Sequence, residues 1–295
     1  MKDSSSHPDI DVVICVHNAL EHVKDCFESA VKTECPAGKL RIILVDDGSD
    51  TPTQTYLQGV AKQNPELVTL IRRDIAGGYT VAANTGLKES RGDFCLMLNS
   101  DTIVPARWLE KMYAVFRDRP DVGIVGPLSN AASWQSVPDL SNPGGGWAIN
   151  ELPQGWTVDD MDALVEHSAR KVPVYPRVPL LNGFCFMIRK SLCDVIGYMD
   201  EEGFPRGFGE EDDFCMRAAS AGFGIVVAID TYVFHAKSKS YGSTKRNELS
   251  QKGQVMLKKK HSEARLKRAV ETMKKNPYLA MMREQVGLSL MEKSA

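Results

Sequence analysis

The sequence has no Cys-x-x-Cys pair, and its seven cysteines are odd in number and scattered. That pattern excludes a disulfide framework and the usual zinc ribbons. Cys15, Cys95 and Cys185 sit inside apolar runs and read as buried thiols in a reducing, cytoplasmic setting. No apolar run approaches the length of about 20 residues that spans a bilayer. The polar, Ser-rich start is no signal peptide. Neither charge sign dominates: the formal net charge of −2 argues against coating a polyanion, so no nucleic-acid partner is expected. The first β-branched run ends in Val16-His17-Asn18-Ala19, which is not a Gly-rich phosphate loop.

What is present is an ordered alternation. Residues 1–8 are expected to be disordered. Strands are expected over Ile10 to Val16, Leu40 to Val45, Leu67 to Ile71 and Phe94 to Leu98. Helical patterns lie between them: one carries Leu20, Val23, Phe27 and Val31, one opens at Thr51-Pro52, and one runs towards Ser90. Four strands alternating with three helices imply an α/β fold with a mainly parallel, Rossmann-like, doubly wound sheet. Right-handed crossovers then put the Asp-rich strand ends along one edge. Asp46, Asp47 and Asp101 are thereby expected in one crevice, where open α/β sheets bind ligands.

Past a helix at Pro105 to Asp118 and a strand at Val122 to Val125, periodicity fails from Pro127 to Pro179, with one helix near Val158 to Ala169. Such a stretch is expected to form a binding loop or lid holding Trp134, Trp147 and Trp156. Strands resume at Phe184 to Ile188, Ile225 to Ala228 and Tyr232 to Phe234, the last delivering His235. After Gly242 the chain reads as charged helix to about Asn276, then a last amphipathic segment.

Asn99-Ser100-Asp101 closes the Phe94 run. Asp101 can hold a hard divalent cation that bridges two phosphates, and His235 can add a neutral imidazole. Turn chemistry is the competing reading of Asn-Ser-Asp. Asp46 and Asp47 can accept from a base or ribose, or cap the next helix, or both. Glu210-Glu211-Asp212-Asp213 opens a helix, where its dipole favours acids. Crowding there should raise at least one carboxyl towards the range of a general base.

In order, Val13 to Ala19, Val45 to Asp50, Asn84-Thr85-Gly86, Gly92-Asp93, Leu98 to Thr102, Gly209 to Cys215 and His235 resemble the family-2 glycosyltransferases, over roughly Asp9 to Gly242. These are inverting enzymes of the GT-A fold that use nucleotide sugars. The resemblance implies a nucleotide-sugar side comprising Val16, His17, Asn18, Asp46, Asp47, Gly78, Asn84, Asn99, Ser100 and Asp101. It implies Mg²⁺ or Mn²⁺ at Asp101 and His235. Asn99 stands where the family's metal motif has its first Asp, which leaves Asp101 as chief ligand. Holding Asp213 to Arg217 in register makes Glu211 the base, with Glu210 and Asp212 as alternatives. Asn182, Gly183 and Trp134 would lie on the acceptor side. The Gln-x-x-Arg-Trp motif of processive synthases is absent, so the enzyme should add one sugar, or a few, to a surface-glycan precursor.

The implied division is residues 9–242 as GT-A domain, with a nucleotide-sugar half (9–126) and an acceptor half (127–242), then a helical extension (243–295). The implied donor is a UDP, dTDP or GDP sugar and the acceptor a glycan or lipid-linked glycan. The basic stretch from Lys245 to Lys275 offers peripheral contact with the inner face of the cell membrane, a solvated helix face, or packing in a homodimer. Two other functions remain open on the residues alone: a sugar-1-phosphate nucleotidyltransferase, disfavoured by the missing Gly-rich loop, and a non-catalytic nucleotide- or glycan-binding module.

Overall fold

The β-branched run Ile10–Val16 (β1) is buried on both faces, as a central parallel strand must be. In the computed structural model, which describes residues 8–33, 35, 38–237 and 243–294, β1 is flanked by Leu40–Asp47 (β2) and Phe94–Asn99 (β4), both parallel to it. Residues 1–7, expected to be disordered, and Gly242, an expected domain boundary, lie outside that range. Val68–Arg73 (β3) adds to β2, again parallel. Helices Leu20–Val31 (α1), Thr51–Gln63 (α2) and Tyr79–Glu89 (α3) make the crossovers. The cap of α2 is Asp50, whose carboxylate accepts from the Thr53 amide, rather than Thr51, which is already helical.

The second half departs from a purely parallel sheet. Cys185–Arg189 (β7) runs antiparallel between β4 and Val122–Ser129 (β6). The full order is β3-β2-β1-β4-β7-β6-β8-β5, where β5 is Thr102–Ile103 and β8 is Gly224–His235. The two short strands expected around Ile225 and Tyr232 are thus one element. Polar Asp230 stays inside it because its carbonyl accepts from Lys111 at 2.7 Å and its carboxylate from Tyr175 at 2.6 Å. A register irregularity beside Pro127 absorbs the misfit.

Packing fixes the layers. Trp108–Asp118 (α4) buries Trp108 completely, with its indole donating to Thr33 at 2.8 Å. Val158–Ala169 (α5) lies on β8, and Lys190–Ile196 (α6) follows β7. At the far edge of the sheet Asp11 is buried but satisfied. Burial alone would raise its carboxyl, yet the bidentate Arg41 pair and the amides of Gly92 and Arg91 hold it below the usual range.

The C-terminal helices are Ser243–His261 (α8), Glu263–Lys274 (α9) and Pro277–Ser294 (α10). The expected continuous charged helix breaks at Ser262, which has φ +62. Among the described residues no helix is long and apolar enough to cross a membrane. The Lys258-Lys259-Lys260 cluster is also split: Lys260 turns inward to Asp200 and Asp213, at 2.7 and 2.8 Å.

Candidate active site

Strand register decides which loops meet. Val16 pairs with Asp46, Cys15 with Asn99, and Leu98 with Cys185, so β1, β2 and β4 end where β7 begins. The Asn99 amide donates to the Phe184 carbonyl at 2.8 Å, which draws Asn182 and Gly183 to the same edge. Thr102 pairs with His235 across β5 and β8. The Ser100-Asp101 turn therefore stands opposite the end of β8, and the structure brings the expected Asp101 and His235 together.

Asp101 Oδ1 and His235 Nε2 lie 3.3 Å apart. His235 Nδ1 sits 3.2 Å from the Ala131 carbonyl, which can only accept, so in the neutral ring Nδ1 carries the proton and Nε2 turns a lone pair towards Asp101. The ring is 8% exposed, stacks on Phe184 with centroids 5.2 Å apart, and its backbone is held by Asn130. An oxygen and a nitrogen acceptor facing each other across a partly open gap fit a divalent cation. Among the described residues no group of three or more His, Cys, Asp or Glu is arranged to hold a metal ion. A cation held there by Asp101 and His235 would need further oxygen ligands from bound phosphate or water.

The second acidic loop opens Glu210–Ser220 (α7) after Gly207, Phe208 and Gly209. The Gly209 amide donates to both Glu210 and Glu211, at 3.1 and 3.2 Å. Burial, then the Glu211 charge, pushes the Glu210 carboxyl well up. Glu211 is raised chiefly by burial, and it accepts from the amides of Gly209 and Gly183 and from the Glu210 carboxyl. Asp212 is raised by burial and by Glu211. Glu210 thus holds a shared proton and leaves Glu211, half-exposed, as the better acceptor. A methyl placed on Gly183 would come within 3.3 Å of the Glu211 Cβ, so this carboxylate sits directly beside the start of β7. Tyr79 reaches the same point, its hydroxyl 3.4 Å from the Gly183 carbonyl.

Asp213, next in the run, behaves differently. It is wholly buried, and burial would raise it, but Lys260, Arg217 and His261 bring it below the usual range. His261 Nε2 lies 2.7 Å from Asp213 Oδ1. Gly253 seals the joint: a Cβ there would fall 1.8 Å from the Phe208 carbonyl, so α8 lies directly against the loop before α7.

The expected nucleotide-sugar residues meet at this edge in different states. Val16 is buried under the turn. His17 Nδ1 lies 2.8 Å from the Asp47 carbonyl, and Asn18 bonds Ser49 and Asp50. Asp46 is 1% exposed and accepts from the Ser49 amide at 2.9 Å and from Arg72 at 2.5 Å. Asp47 accepts from Arg73, Gly77 and Gly78. Gly78 is required there: its φ is +98, and a Cβ would strike the Pro205 carbonyl at 2.6 Å. Asn84 does not face the crevice. It is 2% exposed, and its amide is spent on Met199 and Glu201, where it anchors the loop that leads to Glu210. Asn182 bonds Gln135 and Phe184. Trp134 packs edge-on against Trp147, which is itself 44% exposed.

Sequence reasoning missed Tyr79, Phe184, Asn130, Lys260 and His261. Only Arg72 and Arg73 carried a legible signal: two arginines ending β3 face two aspartates ending β2.

Comparisons with known proteins fit this geometry. Glycosyltransferase AglE of Haloferax volcanii is 29% identical over 108 residues, 37% of this chain and 35% of that protein. An N-acetylglucosaminyltransferase of Rhizobium leguminosarum bv. viciae is 28% identical over 73% of this chain and 48% of that protein. The first relatives are thus spanned for under half of their own length. Among solved structures, GalNAc-T7 with UDP, GalNAc and Mn²⁺ superposes with TM-score 0.59 at 19% identity, covering 79% of this chain and 44% of that one. The mannosyltransferase PcManGT of Pyrobaculum calidifontis with GDP-Man and Mn²⁺ gives 0.57 at 14% identity, covering 98% and 88%. These likenesses establish the GT-A fold. Residues 11–197, well over half of the chain, match the family model described as Glycosyl transferase family 2, and the chain belongs to that family.

Proposed function

We propose that this chain is a metal-dependent inverting glycosyltransferase. It moves a sugar from a nucleoside-diphosphate sugar of the UDP, dTDP or GDP type to a hydroxyl of a glycan or lipid-linked acceptor, in polysaccharide assembly. Relatives include the succinoglycan biosynthesis protein ExoM of Rhizobium meliloti and a poly(ribitol-phosphate) β-glucosyltransferase of Bacillus spizizenii, matched over 50% and 35% of this chain. The single observation that carries the reading is the meeting, on one sheet edge, of Asp101 opposite His235 and of Glu211 beside Gly183.

Asp101 and His235 would hold Mg²⁺ or Mn²⁺, which supplies charge compensation for a departing diphosphate. Glu211 would accept the proton of the attacking hydroxyl, and Glu210 keeps it aimed through their shared hydrogen bond. Residues 9–126 would serve the donor and 127–242 the acceptor.

Titration calorimetry with UDP, GDP and dTDP, with and without Mn²⁺, followed by a mass-spectrometric donor screen, tests the proposal. Asp101→Ala should lose metal-dependent nucleotide affinity together with transfer. Metal-dependent nucleotide binding with neither transfer nor sugar-nucleotide hydrolysis would mark a binding module instead.

A further inference from the structure

Beside this edge lies a half-open cavity of about 290 Å³, formed by the stretch after β6 where it crosses α5 and α10. Tyr232, Met161 and Leu290 form its inner side, and Asp139, Asn150 and Glu151 its rim. Its volume corresponds to roughly ten liquid waters, the scale of a single monosaccharide. Tyr232 is the informative residue. It is 1% exposed and closes the inner side of the cavity. Here burial pushes the hydroxyl up, and Glu151 across the cavity adds to that.

The lining selects a ligand class. No Lys, Arg or His is among the lining residues, which disfavours phosphate, nucleotide or sulfate. Two carboxylates and an amide suit clustered hydroxyls, and Met161, Leu290, Pro138 and Pro153 suit the C–H face of a sugar ring. Ile149 and Trp147 stand exposed on the same stretch, at 56% and 44%. The rim is tied to the metal-ligand candidate. Asn150 donates to the Asn130 carbonyl at 2.9 Å, and Asn130 both donates to and accepts from the His235 backbone.

We propose that this cavity is a saccharide subsite that holds a neutral sugar unit of the acceptor glycan, at a distance from the hydroxyl that receives the new sugar. The assignment rests on the transferase reading for the word acceptor, but not for saccharide binding itself. Saturation-transfer NMR on the full chain, with methyl glycosides of glucose, galactose, mannose, N-acetylglucosamine and rhamnose as probes, tests it. At least one probe should bind the wild type, and Tyr232→Phe and Glu151→Gln should each weaken it by about tenfold, the worth of one buried hydrogen bond. Binding of UDP with Mn²⁺ to both variants should be unchanged, which also shows that they fold. If no glycoside binds the wild type, or if both variants bind as well as it does, the proposal is overturned. Saccharide binding that responds to these variants in a protein with no donor turnover would keep the subsite and sink the transferase reading alone.

Discussion

Two pairs of adjacent acids close on the same sheet edge, and their surroundings differ. Asp46-Asp47 ends a strand whose neighbour ends in Arg72-Arg73, and every carboxylate oxygen there meets a guanidinium or a backbone amide. Glu210-Glu211 opens a helix, and among the described residues no ion pair reaches either one or Asp212. The first pair is compensated charge that fixes a loop. The second is uncompensated, so burial and repulsion raise it. Asp213, one position further on, returns to the first kind with Lys260, Arg217 and His261 around it. Proximity in sequence therefore says little about an acid's role; what faces it decides.

That contrast can be broken by substitution. Glu211→Gln should cut turnover by roughly two orders of magnitude or more while nucleotide affinity stays, as read by kcat and calorimetry. Normal turnover would hand the base role to Glu210 or Asp212. Asp213→Asn should destabilise by about 3 kcal/mol in urea unfolding at neutral pH, because it strips a buried partner from Lys260 and Arg217. Its carboxyl is lowered in the folded state, so this contribution is present above the unfolded value near about pH 4 and is lost as pH falls through the folded one. Asp47→Asn should cost about 2 kcal/mol by loosening the Gly77-Gly78 loop from Arg73, measured in the same way.

Glu210→Gln should do the reverse, with the smallest effect. Its carboxyl is raised in the folded state, so the wild-type acid favours folding at low pH and loses that advantage as pH rises past the unfolded value, about 4.3. The substitution should thus raise Tm by a few degrees at pH 8 and leave it unchanged near pH 4. It should leave the lower inflection of the kcat–pH profile in place, since the Gln amide can still donate to Glu211 as the Glu210 carboxyl does. A downward shift would show Glu210 charged beside Glu211 and break the proton-sharing drawn between the two glutamates.

Much of the fold was legible because the first half obeys local rules. Continuous apolar runs at β1, β2 and β4 read as buried strands, their alternation with helices made them parallel, and turn residues marked their ends. The antiparallel β7 was not legible, since a run such as Cys185-Phe186-Met187-Ile188 has the same character in either direction. Asn84 entered as a nucleotide-sugar residue only through the resemblance of Asn84-Thr85-Gly86, and helix rotation turns it inward to Met199. Lys260 lies in the basic stretch from Lys245 to Lys275, yet the Asp200 and Asp213 carboxylates claim it.

By itself the sequence determined which acids would stand at strand ends and that the fourth strand would close in Asn99-Ser100-Asp101, because hydrophobic period and turn chemistry are local properties. Only the tertiary structure decided that His235 faces Asp101, that Glu211 sits beside Gly183, and that Asp46 and Asp47 are already satisfied. The first depends on strand register between segments more than 100 residues apart, Thr102 against His235, and the others on packing between elements about 26 to 31 residues apart. No spacing within a single chain segment encodes them.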